Sequence, residues 1–94
     1  MSGKLYTDKM LSNPYLWTMI KDENYLQISK WGIQSRTSFE WVTYLMEEVG
    51  ELAEAVSEFE YRNGTRESVG KEAIQVATLA LKIAEMIAPE RRKP

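Results

Sequence analysis

The stretch Trp41-Val-Thr-Tyr-Leu-Met-Glu-Glu-Val-Gly-Glu-Leu-Ala-Glu-Ala-Val56 decides how the chain folds. Its apolar residues recur at intervals of three and four, the spacing of one face of an α-helix rather than the alternation of a strand. At about 100° per residue, Phe59, Leu52, Leu45, Val56 and Val49 all fall within roughly 100° of Glu48 on one side, an apolar stripe with Glu48 at its edge. Glu51 lies about 60° away on the other side, whereas Glu40, Glu47, Glu54 and Glu58 fall farther round. Of the glutamates on this helix, only Glu48 and Glu51 adjoin the seam that must be buried.

Signals on either side bound this helix. Thr37-x-x-Glu40 reads as a capping box, in which a hydroxyl and a carboxylate satisfy free N–H groups of the first turn. Asn63-Gly64 is a strong turn dipeptide. The helix is therefore predicted over about 38–61. Thr65 or Ser68 starts the next one, predicted over about 66–88 with Pro89 as its stop. There Ile83, Val76, Val69 and Ile87 fall within about 60° of Glu72 on one side and Leu79 about 20° on the other, so Glu72 lies inside an apolar stripe. Gln75 flanks Glu72 as Glu51 flanks Glu48. Packed antiparallel about the Asn63-Gly64 turn, the two helices would bring both pairs together.

Towards the N-terminus, Asn13-Pro14 fits an N-cap followed by proline at the first helical position. The spacing of Trp17, Ile20, Leu26 and Ile28 predicts one helix, whole or broken near Lys21-Asp22, that ends at Trp31-Gly32. Residues 4–12 form a short turn or helix. No alternating stretch long enough for a sheet occurs, so the fold class is all-α, a helical bundle in a single domain over residues 1–94.

Composition narrows the chemistry. Hydrophobic residues make up 44% and charged residues 28% of the 94, as in an ordinary globular chain. The net charge of -2 supplies no basic field for nucleic acid. The basic run Arg91-Arg92-Lys93 reads as a solvated tail. With no long apolar run and no cysteine, a cytoplasmic protein that enters no membrane is expected. The absence of cysteine and histidine removes thiolate and imidazole metal sites, cysteine nucleophiles and serine–histidine triads. Carboxylates on an apolar seam must be protonated, paired or bound to metal. Few basic residues share those faces, so a divalent cation that prefers oxygen, Mg²⁺, Mn²⁺ or Ca²⁺, is expected there. A charged helix with both glutamates in water is the simpler alternative. Matched pairs on two stripes favour the cation.

The last helix also carries Ile74 and Leu81 opposite the Glu72 stripe, with Ala73, Ala77, Ala80 and Ala84 between. Apolar on most of its circumference, it needs cover on both sides. A homo-oligomer, dimer or tetramer, is the expected source of that cover.

The segment from Trp41 to Val56 resembles the MazG-like, all-α nucleoside triphosphate pyrophosphohydrolases. Glu48-Val49-Gly50-Glu51-Leu52 matches their first metal motif, Glu-x-x-Glu, and Glu72-Ala73-Ile74-Gln75-Val76 falls where the second, Glu-x-x-Asp, is expected. The similarity covers about residues 25–88. It implies a helical bundle completed by oligomerisation, with Mg²⁺, or Mn²⁺ in its place, held by Glu48, Glu51, Glu72 and Gln75. The implied activity is cleavage of a nucleoside triphosphate to the monophosphate and pyrophosphate, with Glu48 and Glu51 as the catalytic carboxylates. Trp31 resembles an aromatic that relatives stack on the base, though a helix-end tryptophan also packs well. Gln27 and Lys30 share that helix end and either meet base or phosphate or form a solvated surface, while Lys71 and Lys82 flank the Glu72 stripe either within reach of triphosphate oxygens or as surface lysines with their heads in water. Gln75 departs from the motif: a neutral amide adds no charge and cannot act as a base. The alternative is therefore a catalytically weakened or inactive helical oligomer that binds nucleotide or a partner protein.

Overall fold

Thr37 opens the longest helix as the sequence predicts. Its Oγ1 accepts from the Glu40 backbone N–H at 3.1 Å, and Glu40 Oε1 accepts from the Thr37 N–H at 2.9 Å. These bonds favour the charged carboxylate and hold Glu40 below its ordinary range. The computed structural model describes residues 2–33 and 36–87, without the side chain of Ile87. Among these residues four helices follow one another, α1 (Gly3–Leu11), α2 (Pro14–Trp31), α3 (Ser38–Tyr61) and α4 (Arg66–Ile87), and there is no strand. The expected end of α4 at Ala88, the Pro89 stop and the basic run Arg91-Arg92-Lys93 lie outside the described residues.

Local chemistry sets each border. Asn13 Oδ1 accepts from the Tyr15 N–H at 2.9 Å and Pro14 begins α2. α2 then runs unbroken through Lys21-Asp22, because neither glycine nor proline interrupts it. It stops at Gly32, whose φ of 75° suits glycine and whose N–H donates to the Ile28 carbonyl. α1 is capped by Ser2, and the Trp17 indole N–H donates to the Leu11 carbonyl at 2.6 Å, tying the start of α2 to the end of α1. Thr65 rather than Ser68 caps α4: Thr65 Oγ1 accepts from the Ser68 N–H at 3.1 Å.

The turn between α3 and α4 is tight. Asn63 takes a left-handed φ of 65°, and the N–H groups of Arg62 and Gly64 both donate to the Glu58 carbonyl at 2.8 Å. A Cβ added at Gly64 would lie 2.8 Å from Glu58 C and from Phe59 N, both backbone atoms. Only glycine lets the chain fold back this closely.

α4 occupies the middle, packed against α3 and against α2. Its neighbours Thr78 and Leu79, about 100° apart on the helix, are each 2% exposed. The Thr78 hydroxyl is satisfied by donating to the Ile74 carbonyl at 2.7 Å. The second apolar face of α4, for which the sequence invoked a partner copy, is thus covered in part by α2 of the same chain. Leu81 stays exposed.

A different face lacks cover. Leu45, Leu52 and Phe59 of α3 are half-buried, but Val49 and Val56, expected in the same buried stripe, are exposed. With Phe39, Val42, Met46 and Ala53 they form a row spaced three and four residues apart, the seam of a helix–helix contact. No helix among the described residues is long and apolar enough to cross a membrane.

Gly64→Ala should destabilise the chain by more than about 1 kcal/mol, because the added Cβ meets backbone that cannot move aside. Gly3→Ala, whose Cβ would meet nothing within 4 Å, should be close to neutral. Urea unfolding followed by circular dichroism measures both.

Candidate metal centre

Closing α3 onto α4 at Gly64 brings the motif residues together. One carboxylate oxygen each from Glu48, Glu51 and Glu72 lie within 4.8 Å of one another. Glu48 and Glu72 are half-buried and Glu51 is exposed. Oxygens bound to Mg²⁺ at about 2.1 Å are separated by roughly 3–4 Å, so small side-chain rotations bring this trio into range. A set made wholly of carboxylates suits a hard cation.

Crowding leaves a mark on Glu48. Its carboxyl is raised from 4.5 to about 7, first by burial, then by the charge and hydrogen bond of Glu51, then by the charges of Glu72 and Glu23. Gln75 is the nearest relief. With its amide nitrogen turned towards the acids, it donates to Glu48 Oε2 at 2.8 Å and to Glu72 Oε2 at 2.9 Å. With its oxygen there instead, it faces only acceptors. Gln75, expected among the residues that hold the cation, is therefore also placed to bridge two carboxylates as a donor. Ligation needs the carbonyl turned inward.

These side chains line one cleft of about 610 Å³, walled by Gln27, Lys30 and Trp31 of α2, Glu48 and Glu51 of α3, and Lys71, Glu72 and Gln75 of α4. Eight of the residues singled out from the sequence thus meet in one place. Lys30 Nζ lies 5.4 Å from the centre of the Trp31 ring, over its face. Gln27 is only 4% exposed, and both ends of its amide are engaged, with Glu23 and with Lys82. Lys82 does not line this cleft. It stands behind Gln27 and donates to Gln27 Oε1 at 2.7 Å.

Glu23 is the charged cleft residue that sequence reasoning missed, beside Leu26 and Ser29. A signal existed, since Glu23, Gln27 and Lys30 share one face of α2 at helical spacing. A second cavity of similar volume, between Trp17, Ile28, Trp41 and Leu81, is more apolar and gathers no carboxylate trio. The chemistry belongs to the acidic cleft. Comparison of the chain with protein-family models, with curated proteins and with solved structures finds no significant match in any of the three.

Between about pH 4.5 and 7 the folded chain keeps a proton on Glu48 that the unfolded chain has lost. Stability contributed by Glu48 is therefore present at low pH and is lost as the pH rises through about 7. In the presence of a chelator, the melting temperature should fall between pH 5 and pH 8, and Glu48→Gln should flatten that slope. Thermal melts of both proteins across this range provide the check.

Proposed function

We propose that the acidic cleft takes a divalent cation together with a phosphoanhydride, which makes the chain a metal-dependent phosphoanhydride hydrolase. Within that class the favoured activity is hydrolysis of nucleoside triphosphates to the monophosphate and pyrophosphate, as in the MazG-like enzymes whose Glu-x-x-Glu motif resembles Glu48 to Glu51. The observation that carries this proposal is the convergence of three carboxylate oxygens within 4.8 Å, in a cleft that also holds Lys30, Lys71 and Trp31.

Glu48, Glu51 and Glu72 would hold Mg²⁺ or Mn²⁺, with Gln75 contributing its carbonyl when turned inward. A cation there would offset phosphate charge and acidify a bound water. Lys30 and Lys71 offer ammonium groups to phosphate oxygens. Trp31 offers a ring for the base, with Lys30 over one of its faces. Glu48 and Glu51 are the carboxylates assigned to orienting the attacking water. A second reading, a nucleotide-binding oligomer without turnover, draws support from Gln75, whose amide can bridge Glu48 and Glu72 but brings no charge.

The exposed row on α3 supports self-association. A homo-oligomer joined through α3, as a dimer or as the repeating unit of a tetramer, would cover that row.

A panel of nucleoside triphosphates with Mg²⁺ or Mn²⁺ should release pyrophosphate and monophosphate, and Glu48→Gln should slow release by at least about 100-fold. Gln75→Asp should speed it. No cation-dependent release from any member of the panel would sink the hydrolase, while a cation-dependent rise in melting temperature would then favour binding without turnover. Replacing Met46 and Val49 together by glutamate should reduce the mass in solution, by light scattering, to that of a monomer.

A further inference from the structure

We infer that Glu23 is an outer carboxylate of the cation site, acting through a cation-bound water and held in the cleft from α2 by a relay through Gln27 to Lys82. The inference rests on the cleft's holding a divalent cation. It concerns a residue that lies outside both motifs.

The relay has one polarity. An ammonium group only donates, so the atom that Lys82 Nζ meets at 2.7 Å is the Gln27 carbonyl oxygen. That contact fixes the amide, and its nitrogen then donates to Glu23 Oε2 at 3.0 Å. Gln27 is 4% exposed, so its amide has little access to bulk water. One oxygen of Glu23 is held by the relay, and its carboxylate lines the same cleft as Glu48, Glu51 and Glu72.

The interposed amide matters electrically. Were Lys82 in direct contact with Glu23, the pair would neutralise each other and the cleft would lose an anion. Gln27 passes on the positional constraint while keeping the two charges apart. Glu23 thus delivers from α2 the negative charge that Gln75 does not deliver from α4. Glu23 is not among the carboxylates whose oxygens converge within 4.8 Å, so it acts through a cation-bound water. Partners outside the ligand shell commonly change metal affinity by about 10–100-fold when lost.

Binding of Mn²⁺ alone, followed by electron paramagnetic resonance, tests this without any substrate. Glu23→Gln, which keeps the shape, should weaken Mn²⁺ binding by about tenfold or more. Glu23→Asp, which keeps the charge but shortens the reach, should weaken it less, and it serves as the test should Glu23→Gln fail to fold. Lys82→Met separates positioning from bulk charge. Removing a cation would tighten Mn²⁺ binding if only the overall field mattered, whereas the relay requires it to weaken. Wild-type affinity in Glu23→Gln, with binding lost in Glu48→Gln, would overturn the role of Glu23 and leave the site standing. Absence of Mn²⁺ binding in the wild-type protein would overturn the site, and the role of Glu23 with it.

Discussion

Glu48 stands where α3 meets α4, and putting a charge there has consequences throughout the molecule. The carboxylate loses water to the helix contact and faces Glu51, Glu72 and Glu23. Such a group is tolerated when it holds a proton, accepts hydrogen bonds or meets a cation. Each answer has a structural counterpart. The proton is held up to about pH 7, the Gln75 amide reaches Glu48 and Glu72 together, and the converging oxygens suit a divalent ion. The same crowding explains why the site sits in an open cleft rather than in a closed core: a fully buried trio of acids would cost far more than this small bundle can offset.

α2 has two tasks in this arrangement. It covers part of α4, which burial of Thr78 and Leu79 makes the centre of the chain. It also completes the cleft with Glu23, Gln27, Lys30 and Trp31. The two tasks are joined at Gln27, whose burial and paired amide tie the α2–α4 contact to the wall of the acidic cleft. Packing and electrostatics therefore cannot be varied independently at that position.

The elements whose causes are local were legible in the sequence. The capping box at Thr37, the turn at Asn63-Gly64 and the angular placement of Glu48, Glu51 and Glu72 all depend on residues a few positions apart, and the structure has them as read. What depends on docking between distant segments was not legible. Helical periodicity could mark the second face of α4 as apolar, but not that α2 would cover part of it. It grouped Val49 and Val56 with Leu45 and Leu52, yet a stripe about 100° wide is more than one neighbouring helix can cover. Glu23 was passed over because its importance comes from the cleft across from it rather than from its own surroundings. Lys82 was read from its helical face alone, as a phosphate contact or a surface lysine, and that face could not show its partner Gln27, which lies 55 positions away.

The tight turn at Gly64 also bears on the order in which the molecule is built. Glu48, Glu51 and Glu72 lie on a hairpin closed by a loop of only a few residues, so their encounter carries a small entropic cost and forms early on the folding path. α2 adds Glu23 through contacts of much longer sequence separation, which form later. During that interval the three acids face one another without the α2 wall. A chain in that state presents its three acids to solvent, and their mutual repulsion is relieved only by protons or dissolved cations until α2 docks.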